Sequence, residues 1–166
     1  MIYAKSTDPT APFDKGQFQD LGPILPRESA SSDSIFNKVN AFSPHCVYVG
    51  GWADREYMSV CRRIRSKGAL VVCGCDTQWK GSFRQHLAGF TAGLHVKRAI
   101  DVMWVSGERQ RVLAAALGYS GDRCWEGVYA CDWNIWSLRA GRILQSGLAP
   151  HFLFVGRYVQ EKGIDT

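Results

Sequence analysis

Four turns in this sequence carry residue types that could bind or orient a ligand. Gly50-Gly51-Trp52-Ala53-Asp54 sets paired glycines, which let a backbone approach a ligand closely, beside an indole ring. A helix starting behind them would add unpaired N–H groups, although the same residues also serve as a plain strand-to-helix turn. In Gly74-Cys75-Asp76-Thr77-Gln78-Trp79, the carboxylate of Asp76 suits a sugar-type hydroxyl, whose proton it could accept or orient. Trp79 suits stacking on an apolar ring face; the competing role for Asp76 is helix capping. Ser106-Gly107-Glu108 offers Glu108 as a ligand contact or as surface beside a cap. Finally, Gly156-Arg157-Tyr158-Val159-Gln160-Glu161-Lys162-Gly163 spaces a fork-shaped donor and a mobile point charge for one anionic group such as a diphosphate. Two solvated cations in a turn are the alternative.

Other chemistries lack their residues. No G-x-G-x-x-G follows a strand, and there is no G-x-x-x-x-G-K-[ST], which argues against dinucleotide dehydrogenases and P-loop NTPases. A G-x-S-x-G elbow is missing too, which argues against a serine α/β-hydrolase. Cys46, Cys61, Cys73, Cys75, Cys124 and Cys131 mostly sit in apolar runs and read as reduced, buried thiols rather than disulfides. Cys73-x-Cys75 with His86 and His95 lacks the paired short loops of a structural zinc site, so no metal is expected.

The elements that would position these turns alternate regularly. Short apolar or β-branched runs at Cys46–Val49, Ala69–Cys73, Val102–Val105, Cys124–Tyr129 and Phe152–Val155 read as strands, with Ile2–Ala4 a further candidate. The first three of these five runs are apolar almost throughout, as strands buried on both faces are. Between them, Asp54–Lys67 places Tyr57, Val60, Cys61 and Ile64 on one helical face. Its Arg62, Arg63, Arg65 and Lys67 favour the C-terminal dipole, and Gly68 suits a left-handed cap; this accounts for the basic cluster without nucleic acid. Ser82–Arg98 reads as a helix lined by Phe83, Leu87, Phe90 and Leu94, with Arg84, Lys97 and Arg98 off that face. An ordinary core-facing helix is the expectation there, and a basic amphipathic membrane-surface helix is the alternative. Gly107–Leu117, capped by Ser106 and stopped by Gly118, and a weaker Trp133–Gln145 complete the set. Such alternation predicts an α/β Rossmann-like domain: a parallel sheet with flanking helices. Ligands in such sheets sit beyond the carboxyl ends of the strands, where the candidate turns lie. Residues 6–34, rich in Pro, Ser and Thr, read as a loop or arm.

The end of the chain resembles a known family. Phe152-Leu153-Phe154-Val155-Gly156-Arg157 followed by Glu161-Lys162-Gly163-Ile164-Asp165 is similar to the junction between the two domains of GT-B glycosyltransferases of retaining family four. Val71-Val72-Cys73-Gly74-Cys75-Asp76, Trp104-Val105-Ser106-Gly107-Glu108-Arg109 and Glu126-Gly127-Val128 resemble upstream landmarks of that family in the same order. Cys75 stands where the family has a histidine, and Glu126-Gly127 where it has Asn-Gly. The resemblance implies an acceptor-side Rossmann-like domain over 1–150 and, over 151–166, the first strand and turn of a donor-binding domain. It further implies donor diphosphate binding by Gly156, Arg157 and Lys162. Acceptor binding falls to Gly50, Gly51, Trp52, Trp79 and Glu108, and orientation of the acceptor hydroxyl to Asp76.

The activity so implied is transfer of a sugar from a nucleotide-diphosphate sugar to a sugar or lipid-linked acceptor. The nucleotide sugar is a co-substrate, and no further cofactor is required. Because the chain stops at Thr166, it is expected to be an inactive fragment of that enzyme. The alternative is a non-catalytic α/β binding or receiver-like domain. A receiver, however, needs clustered acidic residues at early strand ends, where Asp76 stands alone.

Composition sets the outer bounds. With 166 residues, 46% apolar and 21% charged, the chain is globular, and no run approaches the ~18 apolar residues of a membrane span. A net charge of +5 favours anionic partners without naming one. The opening Met-Ile-Tyr-Ala-Lys lacks a secretory pattern, so a cytoplasmic location is expected, with peripheral membrane contact as its variant.

Overall fold

A computed structural model of the chain describes residues 2–4, 24–27 and 29–127, with Trp133 and Ser137 beyond them. The chain divides into two compact units, Met1–Tyr129 and Ala130–Thr166. The expected helix Trp133–Gln145, the strand Phe152–Val155 and Cys131 lie outside the described residues, apart from Trp133 and Ser137.

Two short strands, β1 (Ile2–Ala4) and β2 (Ile24–Pro26), pair in parallel. The main sheet is built from β3 (Cys46–Val49), β4 (Leu70–Cys75), β5 (Val102–Val105) and β6 (Cys124–Glu126). They lie side by side in sequence order and all are parallel. The fold is the expected α/β, Rossmann-like parallel sheet flanked by helices. Strands β3 and β5 have the expected bounds. β4 begins one residue later and ends two residues later than expected, because Gly74 and Cys75 pair with Trp104 and Val105 rather than opening the turn. Within the described residues, β6 ends at Glu126.

In such a parallel order, right-handed crossovers place the helices that connect β3 to β6 on one side of the sheet. That side carries Val49, Val71, Cys73, Cys75, Met103 and Val105, all buried. Helix α2 (Arg55–Arg65) covers it with Met58 and Cys61. Helix α3 (Phe83–Thr91), a 3-10 turn (Ala92–Leu94) and α4 (Val96–Ala99) follow β4 and contribute Ala92, Val96 and Ala99. Helix α5 (Glu108–Ala116) adds Leu113 and Ala114. Just beyond it, the fully buried Tyr119 donates its hydroxyl to the Ile100 carbonyl at 3.1 Å.

Three expectations need correction. Residues 6–34 are not all loop: β2 lies inside them, and helix α1 (Ser32–Phe42) starts there, capped by the Ser31 hydroxyl. Ser106 does not cap α5; the capping position is Gly107, with no side-chain cap bond. Nor is Ser82–Arg98 one core-facing helix. It breaks into α3, the 3-10 turn and α4, and its apolar stripe faces outward. The reason is steric: a Cβ at Gly89 would sit 2.8 Å from the Ala116 carbonyl oxygen, so α3 lies against α5 through its small residues.

The α2 helix is anchored at both ends. Asp54 caps it, accepting from the Glu56 and Tyr57 N–H groups at 3.0 and 3.2 Å, and is paired through both oxygens with Arg27 at 2.7 and 3.1 Å. Burial opposes ionisation of Asp54, but the Arg27 guanidinium and these two N–H groups outweigh it and hold the carboxyl below the usual range. Further along, Arg63 binds Asp33 at 2.6 Å and covers the Phe36 ring, and Arg65 binds Asp101 at 2.6 Å.

Candidate functional site

The carboxyl ends of β3 and β4 enclose a cavity of about 300 Å³. The turn after β3 supplies Gly50, Gly51 and Trp52; the end of β4 and the loop behind it supply Gly74, Asp76 and Thr77. Gly51 has φ +120°, a conformation that a side chain would strain, so its place in this turn calls for glycine. Gly74 is required for a different reason. A Cβ there would stand 2.1 Å from the Tyr48 hydroxyl oxygen, because the Tyr48 ring lies across that position and meets Trp104 edge-on at 6.3 Å. Burial, then the nearby Cys73 and Asp76 charges, raise the pKa of the Tyr48 hydroxyl.

Asp76 is exposed at the start of the loop, and its backbone carbonyl accepts from the Gln110 side-chain amide at 3.1 Å. It does not cap the following helix. Ser82 does that, accepting from the Gln85 N–H, since the longer β4 and the loop to Gly81 separate Asp76 from α3. Asp76 therefore stands beside Gly50, Gly51 and Trp52 as a wall of one cavity. A carboxylate for hydroxyl groups, an indole for a ring face and a glycine turn for close approach make a surface suited to a polyhydroxylated ligand.

Two of the expected residues are placed elsewhere. Trp79 packs half-buried against the core, its ring edge-on to His86 at 4.9 Å, and does not line this cavity. Glu108 is exposed at the start of α5 and held by Arg111, which also reaches Glu126 at 3.2 Å. Gly156, Arg157 and Lys162 lie outside the described residues.

Burial pushes the Cys61 thiol up to about 11 and the Cys73 thiol up to about 12, which disfavours their thiolates. Cys46, expected to be buried, is exposed; its strand β3 is an outer strand of the sheet among the described residues. Among the described residues no group of His, Cys, Asp and Glu is arranged to hold a metal ion.

A second cavity, of about 510 Å³, was not foreseen from the sequence. Trp52 lines it too, together with Arg55, Met58, Arg62, His95 and Val96. The legible part of it was the seven-residue spacing of Arg55 and Arg62, which sets two guanidiniums two turns apart along one side of α2. His95 enters from the segment after α3, a juxtaposition that only the folded chain reveals.

Compared with known proteins, the chain matches no family model, no curated protein and no solved structure.

Proposed function

We propose that this chain is the acceptor-side part of a GT-B glycosyltransferase of the retaining family-four type, taking its sugar from a nucleotide diphosphate. The observation that carries this reading is the cavity at the carboxyl ends of β3 and β4, which Asp76 lines together with the Gly50-Gly51-Trp52 turn. Asp76 accepts the hydrogen bond of the acceptor hydroxyl and orients its oxygen toward the sugar. Trp52 offers its ring to the acceptor, and the glycine turn lets it approach the backbone. Glu108 and Trp79, away from this cavity, drop out of the acceptor set.

The donor side rests on the resemblance alone. There Gly156, Arg157 and Lys162 hold the diphosphate, and the two cations stabilise the charge that builds on the leaving group. No protein nucleophile is needed.

The experiment is a screen for nucleotide diphosphate release across a panel of nucleotide sugars. It uses the chain and the same chain extended through any reading frame that continues it. Release by the extended protein, cut about a hundredfold in kcat/KM by Asp76→Asn, is the expected result. Arg157→Ala and Lys162→Ala should each weaken donor binding by about 1.5–3 kcal/mol. No release with any donor, or an unaffected Asp76→Asn variant, overturns the reading.

A further inference from the structure

Along α3, the large apolar side chains face away from the protein. Phe83, Leu87, Phe90 and Leu94 are 80%, 51%, 90% and 63% exposed, while the inward positions carry Ala88, Gly89 and, just beyond the helix, Ala92. A contiguous apolar row of this kind marks a surface that meets something less polar than water. The charge around it has one sign. Between Thr77 and Ile100 the chain holds Lys80, Arg84, Lys97 and Arg98 and no Asp or Glu. Lys80, Arg84 and Arg98 are exposed.

The row ends at Leu94, and the next residue, His95, lines the cavity of about 510 Å³ with Arg55 and Arg62. Their neighbours on α2, Arg63 and Arg65, are engaged by Asp33 and Asp101, whereas Arg55 and Arg62 have no carboxylate partner among the described residues. The apolar row and the unpaired guanidiniums are thus adjoining parts of one surface.

We infer that this surface docks on an anionic lipid bilayer, the Phe83–Leu94 row entering the boundary of the acyl chains and a lipid phosphate seated among Arg55, Arg62 and His95. A protein partner could cover an apolar row, but the segment that carries this one has only basic charges and ends beside an arginine pair. A bilayer presents an apolar interior and a layer of phosphates side by side, in the same order. The inference is independent of sugar transfer.

The test is flotation of the full chain with vesicles of phosphatidylcholine and phosphatidylglycerol at about 7:3, against vesicles of phosphatidylcholine alone. The chain is expected to float with the anionic vesicles only. Phe83→Ser/Phe90→Ser should lower partitioning at least about tenfold without changing the melting temperature, because neither ring is packed inside. Arg55→Gln/Arg62→Gln should lower it about tenfold as well. Equal flotation with neutral vesicles, no flotation, or unchanged partitioning in either double variant would overturn the inference. So would inorganic phosphate binding to the arginine pair without any vesicle binding, or self-association in sedimentation velocity that the phenylalanine variant abolishes while vesicles are ignored.

Discussion

Helices α2 and α3 are both amphipathic, and the fold uses them in opposite senses. α2 turns Met58, Val60, Cys61 and Ile64 into the interior and keeps its arginines outside, each held by a carboxylate or lining a cavity. α3 turns small residues inward and presents Phe83, Leu87, Phe90 and Leu94 to the surroundings. An apolar stripe therefore says which face of a helix avoids water. It does not say whether the protein itself supplies the cover.

This contrast can be broken by substitution, and the largest effect belongs to α2. Ile64 is 2% exposed and packs with Val60, Ile35 and Ala69 beneath α1. Ile64→Ala should destabilise by about 3–4 kcal/mol, measured by urea denaturation. Removing the anchor at the other end comes next. Asp54→Ala deletes both a helix cap and the partner of Arg27, and should cost about 2–3 kcal/mol. Because the folded state lowers the pKa of Asp54, its contribution is complete above the ordinary carboxylate range, about pH 4 and upward, and is lost as the pH falls through the depressed value. A stability–pH profile should show this acid limb shallower in Asp54→Ala than in the unsubstituted chain.

On α3 the sensitive position is a small one. Gly89→Ala gains helix propensity but drives a Cβ against the Ala116 carbonyl, with a net loss of about 1 kcal/mol expected by thermal denaturation. Phe90→Ser, at a far larger side chain, should move stability by less than about 0.5 kcal/mol. If Phe90→Ser proved as costly as Ile64→Ala, the two helices would not differ as described.

Much of the sheet was legible because a strand buried on both faces is a continuous apolar run. Val102–Val105 could be bounded to the residue on that signal; Cys46–Val49 was bounded equally well from its apolar run, although the expected burial of both faces fails there, with Cys46 and Tyr48 exposed. The reading failed where a residue's type and its place conflict. Gly74 looks like a turn residue, yet it stays in the strand because the Tyr48 ring occupies the space of its Cβ. Helix α1 went unread because it buries only Ile35 and starts inside the stretch that its Pro, Ser and Thr content marks as loop. At the cavity, the glycine turn and Asp76 could be picked out, each from local residue types. The convergence of Arg55, Arg62 and His95 could not, since they come together only where α4, which His95 precedes, packs on α2. Trp79 could not be placed for a related reason: an indole after a strand can serve a ligand or the interior, and only the folded chain shows it packed half-buried against the core, away from the cavity.

The unbroken order of β3, β4, β5 and β6 bears on how the domain forms. Among these four strands each finds its neighbour after a single crossover, so their pairings close short loops without waiting for a distant segment. Such a sheet can zip outward from β4 and β5, whose amide protons would then be the slowest to exchange with deuterium, while the rim at β3 opens first.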